Sequence, residues 1–345
     1  MNKAFKTLLI IGIILITSGL LTAGTAIALG YAGVLPKFTE TYEEAVFTTK
    51  ESFENISIKS SDMSVKVVAS ENNECKVVYS QPKDRKFDVK VENGTLTVDC
   101  RIDFYWFMNF ISFGEKRPNI TVYLPKYEYK DIEIENTSGN IDLVCDFETA
   151  NLKCENVILK NVSGEIKLSN ILADKAYLET VSGEVFVSDV MQKPEEIKLS
   201  GKILPAIGSA EIKTVSGKIN LADGYIGGLT KITSTSGDIK VDSGMSFYNL
   251  DMRTTSGRLT LSDAVCTGDV VINTTSGEVN FENLGCNNFT AGTVSGAVKG
   301  SFSCGKLYDV TSTSGEVKLY DQDSSGGLCK VSTISGGIEL SAIDA

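Results

Sequence analysis

The chain has 345 residues and is acidic: 33 Lys and Arg stand against 44 Asp and Glu, and only Lys3 and Lys6 carry charge before residue 36, leaving net −13 (31 − 44) on the remainder. That balance lacks the basic face that phosphate backbones need, so no nucleic-acid partner is expected. There is no histidine, which excludes Ser-His-Asp and Cys-His nucleophile activation and every His-containing metal site, while eight cysteines without a C-x-x-C pair offer no zinc-type ligand set.

From Thr7 to Leu35 there are 29 residues without a charge, more than the ~20 a helix needs to span hydrocarbon. Lys3 and Lys6 precede this stretch and Glu40, Glu43 and Glu44 follow it, so the positive-inside tendency makes residues 1–6 a cytoplasmic tail. The expectation is a single-pass protein of the cell membrane, with 7–35 as the transmembrane helix, 36–50 as a linker and everything beyond it extracellular. The competing reading is a cleaved signal peptide ending near Ala26-Ile27-Ala28, against which the length of the apolar run argues.

Residues 51–130 carry short alternating runs, Ile56-Ser57-Ile58, Val65-Lys66-Val67 and Val89-Lys90-Val91. The last is joined through Asn93-Gly94 to Leu96-Thr97-Val98, a hairpin signal. This region is expected to be an amino-terminal β cap or first irregular rungs. Within it, Phe104, Trp106, Phe107 and Phe110 make an aromatic tract that either packs over the first rung or contacts the membrane interface or a partner.

Residues 131–345 are organised by a Ser-Gly pair at 138–139, 163–164, 182–183, 200–201, 216–217, 236–237, 256–257, 276–277, 295–296, 314–315 and 335–336. Self-similarity at such a period marks a solenoid. All eleven residues two positions after the Gly are aliphatic, from Ile141 to Ile338. Four positions after it the strand pattern continues in nine of the eleven copies, Pro205 and Gly300 being the exceptions; five before it runs a second apolar column that fails only at Glu196. Seven residues separate the two columns, an odd number that a period-2 strand cannot bridge, so a turn must intervene, and the Gly is expected to supply it through a positive φ. The copy at Ser200-Gly201 is degenerate and predicts a distorted rung or a loop. Ser243-Gly244 and Ser325-Gly326 fall off register and read as ordinary turns.

The residue just after each Gly wanders in sign, from Glu165 and Glu184 to Lys218, Asp238, Arg258 and Glu278, as a solvated face does. Cys154, Cys266, Cys286 and Cys304 lie ten or eleven residues before a repeat Gly and are expected to stack at one corner as buried thiols, since parallel side chains do not converge into disulfides.

The run Asn119-Ile-Thr-Val-Tyr-Leu-Pro125, then Ile132-Glu-Ile134, then copies of T-x-S-G-x-[IV]-x-[LV], resembles the bacterial putative-adhesin family of β-strand-repeat proteins over roughly residues 51 to 345. The resemblance implies an all-β, right-handed parallel β-helix, or β-solenoid, on a membrane anchor, and brings neither catalytic residues nor a cofactor. The expected function is that of a non-enzymatic surface or envelope protein presenting a rod to a protein, matrix or wall polymer. One alternative is a polysaccharide-active β-helix enzyme, for which Asp238, Asp242 and Glu278 are scattered candidates. The other is an envelope-stress or signalling accessory, for which a six-residue tail is short. Past Leu340 only five residues follow, a meagre cap, so that end is expected to dock a partner or a second copy.

Overall fold

The structure is a computed structural model, and it describes residues 42–70, 72, 74–83, 86–101, 118–126, 128–145, 151–191, 206–320 and 326–342. The stretch 7–35, the tract with Phe104, Trp106, Phe107 and Phe110, and Ser200-Gly201 lie outside the described residues. Among those described, no helix is long and apolar enough to cross a membrane.

The regular elements of the described residues are strands. Seven precede the Ser-Gly repeats: β1 Tyr42–Thr49, β2 Asn55–Ser60, β3 Ser64–Ala69, β4 Cys75–Pro82, β5 Asp88–Glu92, β6 Thr95–Cys100 and β7 Asn119–Leu124. The repeats begin with β8 Asp131–Ser138, β9 Ile141–Val144, β10 Leu152–Ser163, β11 Ile166–Ser169, β12 Ile171–Thr180, β13 Val185–Ser188, β14 Ile207–Thr214, β15 Ile219–Leu221 and β16 Gly224–Ser234. They continue with β17 Ile239–Val241, β18 Met245–Thr254, β19 Leu259–Ser262, β20 Val265–Cys266, β21 Val270–Thr274, β22 Val279–Leu284, β23 Phe289–Thr293 and β24 Val298–Phe302. The last four are β25 Lys306–Ser312, β26 Val317–Tyr320, β27 Gly327–Thr333 and β28 Ile338–Ala342.

These strands make two long, mostly parallel sheets with one core between them. Sheet A runs β1-β4-β7-β3-β9-β11-β13-β15-β17-β19-β22-β24-β28-β26, and sheet B runs β25-β27-β23-β21-β18-β16-β14-β12-β10-β8-β2-β6-β5. A rung is one strand in each: β16 in sheet B turns at Ser236-Gly237 into β17 in sheet A. The seven-residue spacing thereby resolves itself, because the two apolar columns belong to opposite sheets. In sheet A, Ile219, Ile239, Leu259 and Val279 stand in register; in sheet B, Ile212, Ile232, Met252 and Ile272 do. All eight are buried. Each sheet keeps its other face toward solvent, hence the alternation within strands that parallel sheets covered on both faces lack.

Glycine serves this turn differently from the expectation. Among the described repeat glycines, only Gly139 (φ 104°) and Gly164 (φ 118°) take positive φ. The others are required because the corners stack: a Cβ on Gly183 would run into the Gly164 carbonyl, one on Gly217 into that of Gly183, and so through Gly237, Gly257, Gly277 and Gly296. Three residues before seven of these glycines, a buried hydroxyl takes up the glycine amide. Thr180, Thr214, Thr254, Thr274, Thr293 and Thr333 accept through Oγ1, and Ser234 through Oγ at 2.8 Å. The T-x-S-G sequence is therefore a side-chain-capped turn of the kind short hydroxyl residues favour. At the opposite corner, positive φ falls on Asn170, Asp189, Asp223, Asp263 and Asn283, and on Gly244 of the off-register pair; Asn and Asp are the side-chain-bearing residues that tolerate it best.

The stack passes directly from Gly183 to Gly217, with Val185 paired to Ile219, so the degenerate copy adds no rung between them. Gly300 interrupts its column because the Phe281 ring occupies the space: Phe281 packs against Phe302 at 4.7 Å and, across the core, Phe289 at 4.9 Å.

The two ends differ. At the amino-terminal end, β4 and β1 extend sheet A antiparallel and β5 extends sheet B antiparallel through the Asn93-Gly94 turn. Rung β2/β3 lies inside the stack, between β6/β7 and β8/β9. The carboxy-terminal end shows the same interleaving: β27 and β28 insert between β23/β24 and β25/β26. The rung left outermost is therefore β25/β26 and not the chain's last one, with Ile338 and Leu340. Ile338 and Leu340 are buried at 1% and 0% exposure, while Val317 and Leu319 in the outermost rung are 41% and 39% exposed. A chain that steps out two rungs and returns gives its last strand a hydrogen-bonded neighbour on both sides.

Candidate binding surfaces

The face of sheet A carries a shallow hollow of about 510 Å³ across β19, β22, β24, β28 and β26. Strand alternation turns Asn280, Glu282, Lys299, Ser301, Glu339 and Tyr320 into it. The register shift between Phe281 and Leu284 against β24 breaks the regular ladder there. The Tyr320 ring is 49% exposed, and none of the ion pairs among the described residues engages Glu282, Lys299 or Glu339. An aromatic face among uncommitted donors and acceptors suits a polar, ring-bearing ligand.

Sheet B has a second hollow, about 580 Å³, lined by Asn156, Ile158, Tyr177, Ser209, Glu211 and Leu229 among others. It lies where two register shifts occur, Ile207 to Ala210 and Ile226 to Leu229. Here Glu211 and Tyr177 are committed: Lys213 bonds Glu211 at 2.9 Å and sits 5.0 Å over the Tyr177 ring, whose hydroxyl donates to Glu179 at 2.8 Å. The Lys213 ammonium holds the Glu211 carboxyl below the usual carboxylate range.

The carboxylates that the sequence offers for catalysis do not converge on either hollow. Asp242 pairs with Lys240 at 2.8 Å, and Glu278 with Arg258 at 3.4 Å, whose amide donates to Asp238 at 2.8 Å. Among the described residues, no three His, Cys, Asp or Glu are placed to hold a metal. Phe104, Trp106, Phe107 and Phe110 lie outside the described residues. Tyr320 and Glu339 carry no signal in the sequence, since nothing in their repeats marks them out and only the interleaving sets Glu339 between Lys299 and Lys318.

Cys154 and Cys266 share one column, though Ala173, Ile207, Ile226 and Phe247 separate them; the Cys304 thiol lies 3.7 Å from the Cys286 carbonyl and, unlike the expected buried thiols, is half-buried. All eight cysteines are free. Burial pushes the Cys266 thiol up to about 11 and that of Cys286 up to about 12, too high for a nucleophile near neutrality. Lys306, fully buried, donates to the carbonyls of Cys286 at 2.5 Å and Asn287 at 3.0 Å, a structural peg that nothing in its sequence context announced.

No curated protein is significantly similar to the chain. Solved structures similar to it include a protein described as a putative adhesin from Bacteroides fragilis NCTC 9343, at 11% identity and TM-score 0.42, covering 88% of this chain and 99% of that one. Another, described as a putative adhesin from Parabacteroides distasonis ATCC 8503, has 13% identity and TM-score 0.45, covering 87% and 97%. A third, from the same organism and described as a putative lipid binding protein, has 12% identity and TM-score 0.39, covering 87% and 97%. The family model named Toastrack DUF4097 matches residues 53–262 and 243–344, and the chain belongs to that family.

Proposed function

We propose that this protein is a non-enzymatic binding scaffold, a right-handed β-solenoid held at the cell membrane by residues 7–35 and displayed outside the cell, which takes a polar polymer of wall or matrix across the sheet A hollow. The observation that carries the reading is the gathering of Asn280, Glu282, Lys299 and Glu339 around the exposed Tyr320 ring. Sugars are recognised in this way, by an aromatic platform and side chains free to exchange hydrogen bonds. The anchor rests on the uncharged length of 7–35 and the position of Lys3 and Lys6.

Full-length protein in detergent should co-sediment with insoluble wall polysaccharide, and Tyr320→Ala should weaken that binding about tenfold, the scale of one lost aromatic contact. Undiminished binding by the variant would remove the hollow from the reading. Soluble sugar released by the wild type, and lost in Glu282→Gln or Glu339→Gln, would favour the enzyme instead. For the anchor, intact cells whose solenoid is cut by added protease support the orientation, and a mature terminus near Leu29 refutes the transmembrane helix.

A further inference from the structure

The outermost carboxy-terminal rung is built like the interior yet has no outer neighbour among the described residues. Val317 and Leu319 stand in register with Ile338 and Leu340, and Val310 with Val331. The core columns thus run out into solvent at β26 and β25, and both strands expose an edge of unpaired backbone groups. At the other end of the stack, the antiparallel strands β1, β4 and β5 cover the corresponding positions. Two apolar-backed edges side by side are what soluble β-proteins otherwise avoid.

An occupant must satisfy two sheet edges at once and cover the apolar strip between them. The undescribed residues next to this end, 321–325 (Asp-Gln-Asp-Ser-Ser) and 343–345 (Ile-Asp-Ala), are too few to make a strand along each of two sheet edges. Of residues 1–41, the proposed anchor leaves only 36–41 between membrane and β1, and at ~3.4 Å each they fall short of the thirteen strand spacings, ~60 Å, that separate β1 from β26 in sheet A. An identical end has the required shape. We infer that a second copy of this chain docks here, end to end about a two-fold axis, with β26 antiparallel to β26 and β25 antiparallel to β25.

Charge selects the register. In antiparallel pairing, opposed residues share a face, so only every second register keeps Val317 and Leu319 on the core side. Centring the axis on Val317 places Glu316 opposite Lys318 of the second copy, twice, and Leu319 opposite the small Gly315. Shifting the centre to Lys318 would oppose two lysines, and to Glu316 two glutamates, both unfavourable. Glu316 and Lys318 are exposed (74% and 47% of their side chains), lie on one face and reach each other at 3.1 Å, so the dimer would carry a closed network of four charges. The covered amino-terminal end stops this association at two copies, where a head-to-tail contact would make a fibre. Neither Val317 nor Leu319 lines the hollow, so the association stands or falls apart from the polysaccharide reading.

The test is the mass of the full-length protein in detergent, by sedimentation with the detergent contribution matched out. A dimer is expected, dissociating to monomers in Val317→Lys/Leu319→Lys; both residues are already part-exposed, and an unchanged melting temperature of the monomer will show that it folds. Glu316→Lys and Lys318→Glu alone should each weaken the dimer about tenfold, and the double reversal should restore it. Val317→Cys should cross-link to itself under oxidation, as a residue on the axis must. A monomeric wild type, a dimer indifferent to Val317→Lys/Leu319→Lys, or charge reversals that do not rescue one another would overturn the proposal. So would protection of the β26 amides by a different protein only.

Discussion

Each rung turns twice, and the two corners work under different constraints. At the T-x-S-G corner the limit is space along the stack: successive glycines lie so close that the carbonyl of one occupies the Cβ position of the next. At the opposite corner the limit is local, a single left-handed residue that Asn, Asp or Gly can provide, and the thiol column nearby varies freely among Cys, Ala, Ile and Phe. The same chain thus has one corner that is collective and intolerant and another that is individual and permissive. A contact repeated by every rung cannot be relaxed in one of them alone.

The largest expected effect is at the intolerant corner. Gly237→Ala puts a methyl onto the Gly217 carbonyl and should cost about 3 kcal/mol or more, since two rungs must part to admit it; a denaturant midpoint close to wild type would show that the corner has slack. Next comes its cap. Thr254→Val keeps the shape but removes the acceptor for the Gly257 amide, now bonded at 3.0 Å, leaving a buried donor unmet at a cost of about 1–3 kcal/mol. Thr254→Ser should stay near neutral, because Ser234 fills this role for Gly237.

At the permissive corner the effects shrink. Asp189, at φ 54°, should accept Gly within about 0.5 kcal/mol, whereas Asp189→Val forces a β-branched residue into the left-handed region for roughly 1–2 kcal/mol. Equal melting temperatures for the two variants would mean that the turn is not held in that conformation. The smallest effect near neutral pH is that of the thiols. Burial raises Cys266 to about 11 and Cys286 to about 12 from an ordinary 9.0, so the unfolded chain releases these protons first. The stability they contribute is complete below pH 9 and is lost as pH rises from there toward 12. Urea midpoints should therefore hold from pH 7 to 9 and fall at pH 10 and 11, less steeply in Cys266→Ala; a flat profile would mean that the thiols are solvated.

By itself the sequence determined the class of fold, the near-20-residue rung and which residues point inward. Those follow from alternation and from an aliphatic residue two places after every repeat Gly, and the structure places Ile141, Ile239 and Ile338 in one buried column. The Asn93-Gly94 hairpin and the shared column of Cys154 and Cys266 were legible for the same reason: each is a local pattern with a local cause. What only the tertiary structure decided is order along the stack. Hydrogen bonding between rungs is blind to chain order, so nothing in residues 298–342 announces that β27 and β28 slip inside β25 and β26. That exchange buries Leu340, exposes Leu319 and sets Glu339 beside Lys299. The role of the repeat glycines was hidden likewise, because a clash with the rung next door is a property of the stack, whereas a positive φ is a property of the residue alone.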